Sequence, residues 1–193
     1  MRRVNGITKT TNNRFLNMYE LDMKSDEGKH SKYFVASRAE RIEDLKISTR
    51  ENKADGVIIY SVYRDEETKE EKLVLIRQYR CPIDDYVYEF PAGLVDVGED
   101  FKTAGIRELK EETGAVEFDI KPICVYSVKG KTRVNENLDE ESFGMLYYAD
   151  INSFEELHSE IETILITDKL VDSWTYPLIQ PKLIEEAQKR GFI

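Results

Sequence analysis

Three glutamates near the middle of the chain, Glu108, Glu111 and Glu112, are spaced so that one face of a helix could carry all of them. At about 100° per residue they fall within an arc of about 100°. Like charges at such spacings repel one another, so the arrangement needs a reason. Two interpretations compete: the glutamates form a solvated acidic face, or they are hard oxygen ligands for Mg²⁺ or Mn²⁺.

A longer pattern, from Gly93 to Ala115, surrounds these glutamates. It consists of Gly, five residues, Glu, seven residues, Arg-Glu, an aliphatic residue, any residue, Glu-Glu, any residue and Gly. Its fixed positions are occupied by Gly93, Glu99, Arg107, Glu108, Leu109, Glu111, Glu112 and Gly114. The pattern resembles the signature of the Nudix hydrolase family, with Ala115 smaller than the usual closing aliphatic residue. This resemblance favours the metal-ligand interpretation.

The resemblance implies cleavage of a nucleoside diphosphate linked to another moiety, with Mg²⁺ or Mn²⁺ as the cofactor. Arg107 and Glu99 are implied to form an ion pair that orients the helix and its carboxylates. The implied metal ligands are the side chains of Glu108, Glu111 and Glu112 and the backbone carbonyl of Ala92.

The segments before the signature resemble the ADP-ribose pyrophosphatase branch of the family. Residues 76–80 read Ile-Arg-Gln-Tyr-Arg and residues 88–93 read Tyr-Glu-Phe-Pro-Ala-Gly, similar to two elements of that branch. A guanidinium fork at residue 80 would match phosphate oxygens. The implied substrate-binding residues are Arg80, Glu89 and, reaching the nucleotide across a homodimer, Arg38 or Tyr33.

The resemblance leaves the general base open. The base could be a glutamate of the helix or one on a later loop. Each later glutamate could equally be a solvated surface carboxylate. The main loop candidates are Glu160 and Glu156, and the further ones are Glu155, Glu140 and Glu141.

The substrate also stays open. The branch usually has a proline in a Ser-Pro-Gly turn beyond the signature, whereas residues 127–131 here read Ser-Val-Lys-Gly-Lys. ADP-ribose, giving AMP and ribose 5-phosphate, is the first expectation. Another nucleotide sugar or a dinucleotide is the alternative, as is a nucleotide-binding Nudix regulator without catalysis.

The amino-acid composition limits the classes of molecule that the protein is expected to bind. The chain has 193 residues and a formal net charge of −10, with 38 acidic against 28 basic residues. This balance disfavours nucleic-acid or anionic-membrane partners and suggests that a cation mediates binding of an anionic substrate. Cys81 and Cys124 follow no disulfide or metal spacing, and no apolar run approaches the roughly 18 residues of a membrane span. We therefore expect a cytoplasmic protein, and the resemblance implies that it binds a small nucleotide.

The elements that must position the signature follow from apolar patterning and end signals. A helix is predicted over residues 101–113, with Asp100 as its N-cap and Gly114 just past its end. A C-terminal helix is predicted over 182–190, after Pro181 and before Gly191. Strands are predicted over 57–63, 73–76, 86–90, 120–126, 143–149 and 161–166.

The N-terminal part has a different character. Strand candidates at 15–21 and 33–36 predict a hairpin, and 39–53 reads as a surface loop or a short helix. We predict a β-hairpin extension over 1–50, which the resemblance links to dimerisation, and a Nudix hydrolase domain over 51–193. The irregular order of strands and helices favours an α+β fold or an α/β sandwich over a doubly wound sheet. The resemblance implies an α/β/α sandwich with a mixed sheet, and we predict the α+β class.

Overall fold

The structure is a computed structural model in two compact units, Met1–Lys53 and Ala54–Ile193. It describes residues 3–51, 54–65, 67–132, 135–157, 161, 163–167, 171, 174 and 178–192, with backbone alone for 128–132, 135–143 and 163. Strands and helices are mixed without βαβ alternation, so the predicted α+β class is confirmed.

The N-terminal unit is a three-stranded antiparallel sheet in the order β1-β2-β3. The predicted hairpin is present as β2 and β3, whereas β1 was not predicted because Asn5 and Gly6 interrupt its apolar pattern. A 3₁₀ turn, Ile42–Asp44, and a one-turn helix, α1, follow. The bounds are β1 Val4–Lys9, β2 Asn17–Lys24, β3 His30–Ser37 and α1 Lys46–Thr49.

The second unit contains a seven-stranded mixed sheet. Strands β10, β5, β4, β9 and β8 follow one another across it. Strand β4 pairs with β9 in parallel, and the other strand-to-strand pairings that the structure describes are antiparallel. Two helices, α2 and α3, accompany the sheet. The bounds are β4 Gly56–Arg64, β5 Glu71–Arg80, β6 Asp85–Glu89, β7 Ala92–Leu94, α2 Phe101–Thr113, β8 Ala115–Thr132, β9 Asn135–Phe154, β10 Thr163–Thr167 and α3 Gln180–Lys189.

Both faces of the sheet are covered, because successive residues of a strand point to opposite sides. On one face, sheet residues pack with Ala104 and Leu109 of α2. On the other face, they pack with Leu183 and Ile184 of α3 and with Trp174. This burial explains the near-continuous apolar run of β4, and the arrangement is an α/β/α sandwich.

The sheet opens between β4 and β5, and this opening positions the signature. The two strands pair directly only over Val62–Arg64 of β4. Farther along, β4 pairs with β7 over Gly56–Ile58, and β5 pairs with β6 over Ile76–Arg80. Phe90 and Pro91 join β6 to β7, and the helix α2 lies against β4 and β7.

Strands β8 and β9 are much longer than the predicted 120–126 and 143–149. Pairing between β4 and β9 begins at Gly144, so the hairpin continues beyond it as a two-stranded ribbon. In this ribbon Lys129 is opposite Glu141 and Lys131 is opposite Asp139. The sequence prediction missed this part because its charged residues carry no apolar strand pattern.

The ends of α2 agree with the prediction to the residue. Asp100 accepts a hydrogen bond from the backbone N–H of Thr103 at 2.9 Å, and Gly114 adopts a left-handed conformation with φ of 71°. The C-terminal helix is present but begins at Gln180 and ends at Lys189, so Pro181 lies in its first turn and not before it. Among the described residues, no helix combines the length and hydropathy needed to cross a lipid bilayer.

Candidate active site

The last turns of α2 carry the three glutamates of the signature. Glu111 is exposed, Glu112 is partly buried and Glu108 is buried. Glu111 and Glu112 lie at the negative end of the helix dipole, which disfavours their charged forms. The structure therefore places like charges together in an electrostatically unfavourable position.

Glu112 points from the helix to the opening of the sheet. Its Oε2 accepts a hydrogen bond from the backbone N–H of Ala92 at 2.9 Å. Desolvation raises the pKa of Glu112 to about 8, the Ala92 N–H opposes this shift, and the charges of Glu108 and Glu89 add to it. A carboxyl that holds a proton near neutral pH is a site that a cation could stabilise as the anion.

The carboxylate of Glu108 lies directly against the backbone of Gly93. A Cβ atom at residue 93 would overlap that carboxylate, so the glycine makes room for it. Burial raises the pKa of Glu108, while hydrogen bonding to Arg107 opposes the rise. The first glycine of the signature thus brings the β7 backbone up to a helix carboxylate.

Arg107 joins the loop before α2 to the carboxylates on it. Its Nε and Nη2 donate to the two carboxylate oxygens of Glu99 at 3.1 and 2.9 Å, and Nη2 also donates to the Leu94 carbonyl at 2.9 Å. Its Nη1 donates to Glu108 at 2.7 Å and to Glu111 at 3.4 Å. Hydrogen bonding to Arg107 holds the pKa of Glu99 below its ordinary value.

Arg80 and Glu89 form a second ion pair at the opening. Nε and Nη2 of Arg80 each donate to one carboxylate oxygen of Glu89 at 2.6 Å. The Glu89 side chain is 6% exposed and the Arg80 side chain 41% exposed. Because Glu89 and Arg80 both influence the pKa of Glu112, this pair belongs to the same electrostatic environment.

The remaining predicted residues lie in other segments of the chain. Glu155 and Glu156 are exposed in the segment after β9, and the Glu155 N–H donates to the Gly114 carbonyl at 2.8 Å. Glu160 lies outside the described residues, and Glu140 and Glu141 are described by backbone alone. In the N-terminal unit, Arg38 is exposed just after β3, and Tyr33 lies within that strand.

The donor set fits a hard divalent cation in chemistry. Carboxylate and carbonyl oxygens are the ligands that Mg²⁺ and Mn²⁺ prefer. Within the described ranges, however, no three His, Cys, Asp or Glu side chains converge as for a bound ion. The carboxylates instead accept hydrogen bonds from Arg107 and from the Ala92 N–H. Glutamates outnumber arginines at the site, which leaves an excess of negative charge. The five glutamates are at positions 89, 99, 108, 111 and 112, and the two arginines are at positions 80 and 107.

Two contacts of the site were not predicted from the sequence. One is the Leu94 carbonyl as an acceptor for Arg107, and the other is the pairing of Arg80 with Glu89. The sequence contains no direct signal for either. A backbone acceptor carries no side-chain pattern, and in the β5–β6 register Arg80 is opposite Asp85 and not Glu89.

Comparison with known proteins gives the same family as the signature. Residues 52–187 match the NUDIX domain model. The chain is 32% identical over 130 residues to an ADP-ribose pyrophosphatase of Saccharomyces cerevisiae, covering 67% of this chain and 53% of the relative. It is 41% identical over 73 residues to an ADP-sugar pyrophosphatase of Mus musculus, covering 37% of this chain and 33% of the relative. The chain thus spans about half or less of the length of these two relatives.

A solved structure titled as an ADP compounds hydrolase has the same fold. It superposes with a TM-score of 0.61 at 17% identity, covering 98% of this chain and 96% of that one. This likeness supports the fold alone, and the match over 52–187 supports the family. Since this match covers more than half of the chain, and α2, Gly93 and the glutamates of the signature lie together as described, the chain belongs to the Nudix family.

Proposed function

We propose that this protein hydrolyses the pyrophosphate bond of a nucleoside diphosphate linked to a sugar, with ADP-ribose as the first substrate, giving AMP and ribose 5-phosphate. The observation that carries the proposal is the excess of desolvated carboxylates where α2 meets the opened sheet. The relatives named ADP-ribose pyrophosphatase and ADP-sugar pyrophosphatase support this substrate class.

The cofactor that we propose is Mg²⁺ or Mn²⁺, since Nudix hydrolases generally use divalent cations. Glu108, Glu111 and Glu112 would hold it, with the Ala92 carbonyl as a further ligand. When bound, such a cation neutralises phosphate charge and lowers the pKa of an attacking water. An acidic protein that binds an anionic substrate needs this charge inversion.

The chain's own residues would orient these groups. Arg107 and Glu99 fix the loop before α2 to the helix, so that the carboxylates keep their spacing. Arg80 is held by Glu89 while part of its side chain stays exposed to solvent, and it would contact a phosphate oxygen. Glu156 or Glu160 would take the proton of the attacking water.

We further propose a cytoplasmic homodimer in which the N-terminal unit supplies Arg38 to the nucleotide of its partner. The two thiols, Cys81 and Cys124, are free, which suits a reducing compartment. The three-stranded sheet of the N-terminal unit exposes Phe34 on β3, an apolar side chain that a partner could cover.

The test is product analysis after incubation with ADP-ribose, other nucleotide sugars and dinucleotides, each with Mg²⁺, with Mn²⁺ and with a chelator. We expect AMP and ribose 5-phosphate from ADP-ribose, and loss of both products on chelation. If the protein hydrolysed another of these compounds but not ADP-ribose, that compound would replace ADP-ribose as the proposed substrate. If calorimetry showed tight binding of ADP-ribose and no product were formed, the protein would be a nucleotide-binding regulator and not an enzyme.

A further inference from the structure

Arg107 contacts the site with two functionally different sides of its guanidinium group. Nε and Nη2 are used by Glu99, in the loop before α2, and by the carbonyl of Leu94, the last residue of β7. Nη1 alone reaches Glu108 and Glu111, two of the proposed metal ligands. One side is thus an anchor, and the other carries positive charge between two carboxylates.

The position of Nη1 is one where a cation would bind. Glu108 is confined by Gly93 on one side, and its side chain is only 12% exposed, so its carboxylate has little freedom to turn elsewhere. Glu111 is 61% exposed and its bond to Nη1 is longer, so it is the easier of the two to release. A guanidinium that bridges two carboxylates reduces their mutual repulsion.

We propose that Nη1 of Arg107 is an internal counter-cation. It holds Glu108 and Glu111 together in the metal-free protein, and it must give them up when a divalent cation binds, while Nε and Nη2 stay on Glu99 and Leu94. This inference rests on the proposed function, because it requires that a divalent cation binds at these carboxylates. Arg107 is then a positioning residue that also sets the metal affinity.

A thermodynamic consequence separates this role from simple structural support. Contacts made only in the metal-free state stabilise that state and weaken metal binding by the same factor. Removing them should lower the stability of the metal-free protein more than that of the metal-saturated protein. The loss of a purely structural contact would lower the stability of the metal-free protein and that of the metal-saturated protein equally.

The test variant is Arg107→Lys, which keeps the charge but offers one ammonium that cannot serve Glu99 and both helix carboxylates together. Thermal unfolding is followed in chelator and in saturating Mn²⁺, and the Kd for Mn²⁺ is measured from the paramagnetic resonance signal of the free ion. We expect a larger metal-induced rise in Tm than in the wild type. We also expect a Kd about five- to tenfold lower.

Two control variants sharpen the result. Glu99→Gln weakens only the anchored side, so it should lower Tm in both states by a similar amount. Arg64→Lys changes an arginine that contacts Glu71 and Asp150 on the strands β5 and β9, so the metal-induced rise in Tm should equal that of the wild type.

Three outcomes would overturn the inference, and they have different meanings. Equal losses of Tm in both states of Arg107→Lys, with an unchanged Kd, would reduce Arg107 to structural support while the proposed function stands. A weaker Kd would show that Nη1 assists binding instead of opposing it. Wild-type protein that binds neither Mn²⁺ nor Mg²⁺ would remove the metal dependence of the proposed function itself.

A measurement on wild-type protein covers the case in which Arg107→Lys does not fold. In protein labelled with ¹⁵N-arginine, Mg²⁺ is added while the side-chain resonances are recorded. We expect the Nη signals of Arg107 to shift and broaden as Nη1 is released, with Nε–H still protected by Glu99. Unchanged Nη signals at metal saturation would contradict the proposal.

Discussion

Arginine bridges carboxylates in two regions of the second unit, and the two regions differ in what surrounds the bridge. In the Arg64 cluster, formed by Arg64, Glu71 and Asp150, the residues lie on strands, and Arg64 is opposite Glu71 in the β4–β5 register. The Arg107 cluster consists of Arg107 and the carboxylates of Glu99, Glu108 and Glu111.

Burial and charge balance separate the two clusters. In the Arg64 cluster, the side chains of Arg64 and Glu71 are 43% and 37% exposed, so water screens this pair and it stabilises little. Asp150 is 27% exposed, and its Oδ1 is buried without a hydrogen-bond partner among the described residues. In the Arg107 cluster, Glu99 and Glu108 are only 11% and 12% exposed. The partly buried carboxyl of Glu112 lies on the same helix. Ion pairs alone therefore do not distinguish the candidate site, whereas the excess of buried glutamates around α2 does.

The largest expected effect comes from Glu112→Gln. The variant removes a proposed ligand charge and should lower kcat on ADP-ribose by about a hundredfold or more. Since the raised pKa keeps this carboxyl largely protonated near neutral pH without metal, the amide resembles the native state, and the metal-free Tm should be unchanged or higher. Steady-state kinetics and calorimetry measure both quantities.

The matched variant in the other cluster is Glu71→Gln. It neutralises a carboxylate that also contacts an arginine, but in a solvated pair, so kcat should stay at the wild-type value. Equal losses of activity in the two variants would abolish the distinction between the clusters.

A second, smaller effect is expected from Gly93→Ala. The new methyl group would overlap the Glu108 carboxylate, which must then move away from the β7 backbone. We expect a loss of about tenfold or more in kcat/KM together with a lower Tm, because one ligand is displaced while the others remain. Kinetics and thermal unfolding test this expectation.

Gly105→Ala on the same helix is its control. A Cβ there would lie 3.4 Å from Cδ1 of Ile120, close to ordinary contact, and alanine favours helix more than glycine. Activity should therefore be nearly unchanged. A similar loss in both glycine variants would mean that α2 tolerates no added methyl group, and the special role of Gly93 would be lost.

The smallest expected effect concerns the N-terminal cap of α2. The Arg64 cluster lies on strands and therefore has no helix cap for comparison. Hydrogen bonds from the Thr103 N–H and hydroxyl hold the pKa of Asp100 below its ordinary value. The unfolded chain therefore binds more protons than the folded one near about pH 4, and stability from this residue rises with pH there.

Asp100→Ala should accordingly be less stable than the wild type at neutral pH, with a difference that shrinks as the pH falls through about 4. Asp100→Asn keeps a capping oxygen but does not titrate, so it separates the cap from the charge. The midpoints of urea unfolding, measured at neutral pH and below about pH 4, provide the measurement. A difference between wild type and Asp100→Ala that is independent of pH would contradict the role of the ionised cap.

The parts of the molecule that the sequence predicts are those with local causes. The ends of α2 were predicted to the residue because Asp100 and Gly114 are end signals of their own. The common face of the three glutamates follows from helical spacing alone. The bond between Arg107 and the Leu94 carbonyl depends on how a loop returns to the helix, and β7 is too short to show a period. The sequence also does not predict the β8–β9 ribbon beyond Gly144, because its charged residues carry no apolar strand pattern.

The parallel pairing of β4 with β9 has a consequence for how the protein reaches its native state. It joins segments roughly 90 residues apart in the chain, and Arg80, Glu89 and the glutamates of α2 lie between them. Closing so long a loop costs entropy before any contact repays it. We therefore expect the opened sheet and α2 to become fixed only late in folding, after synthesis has passed β9.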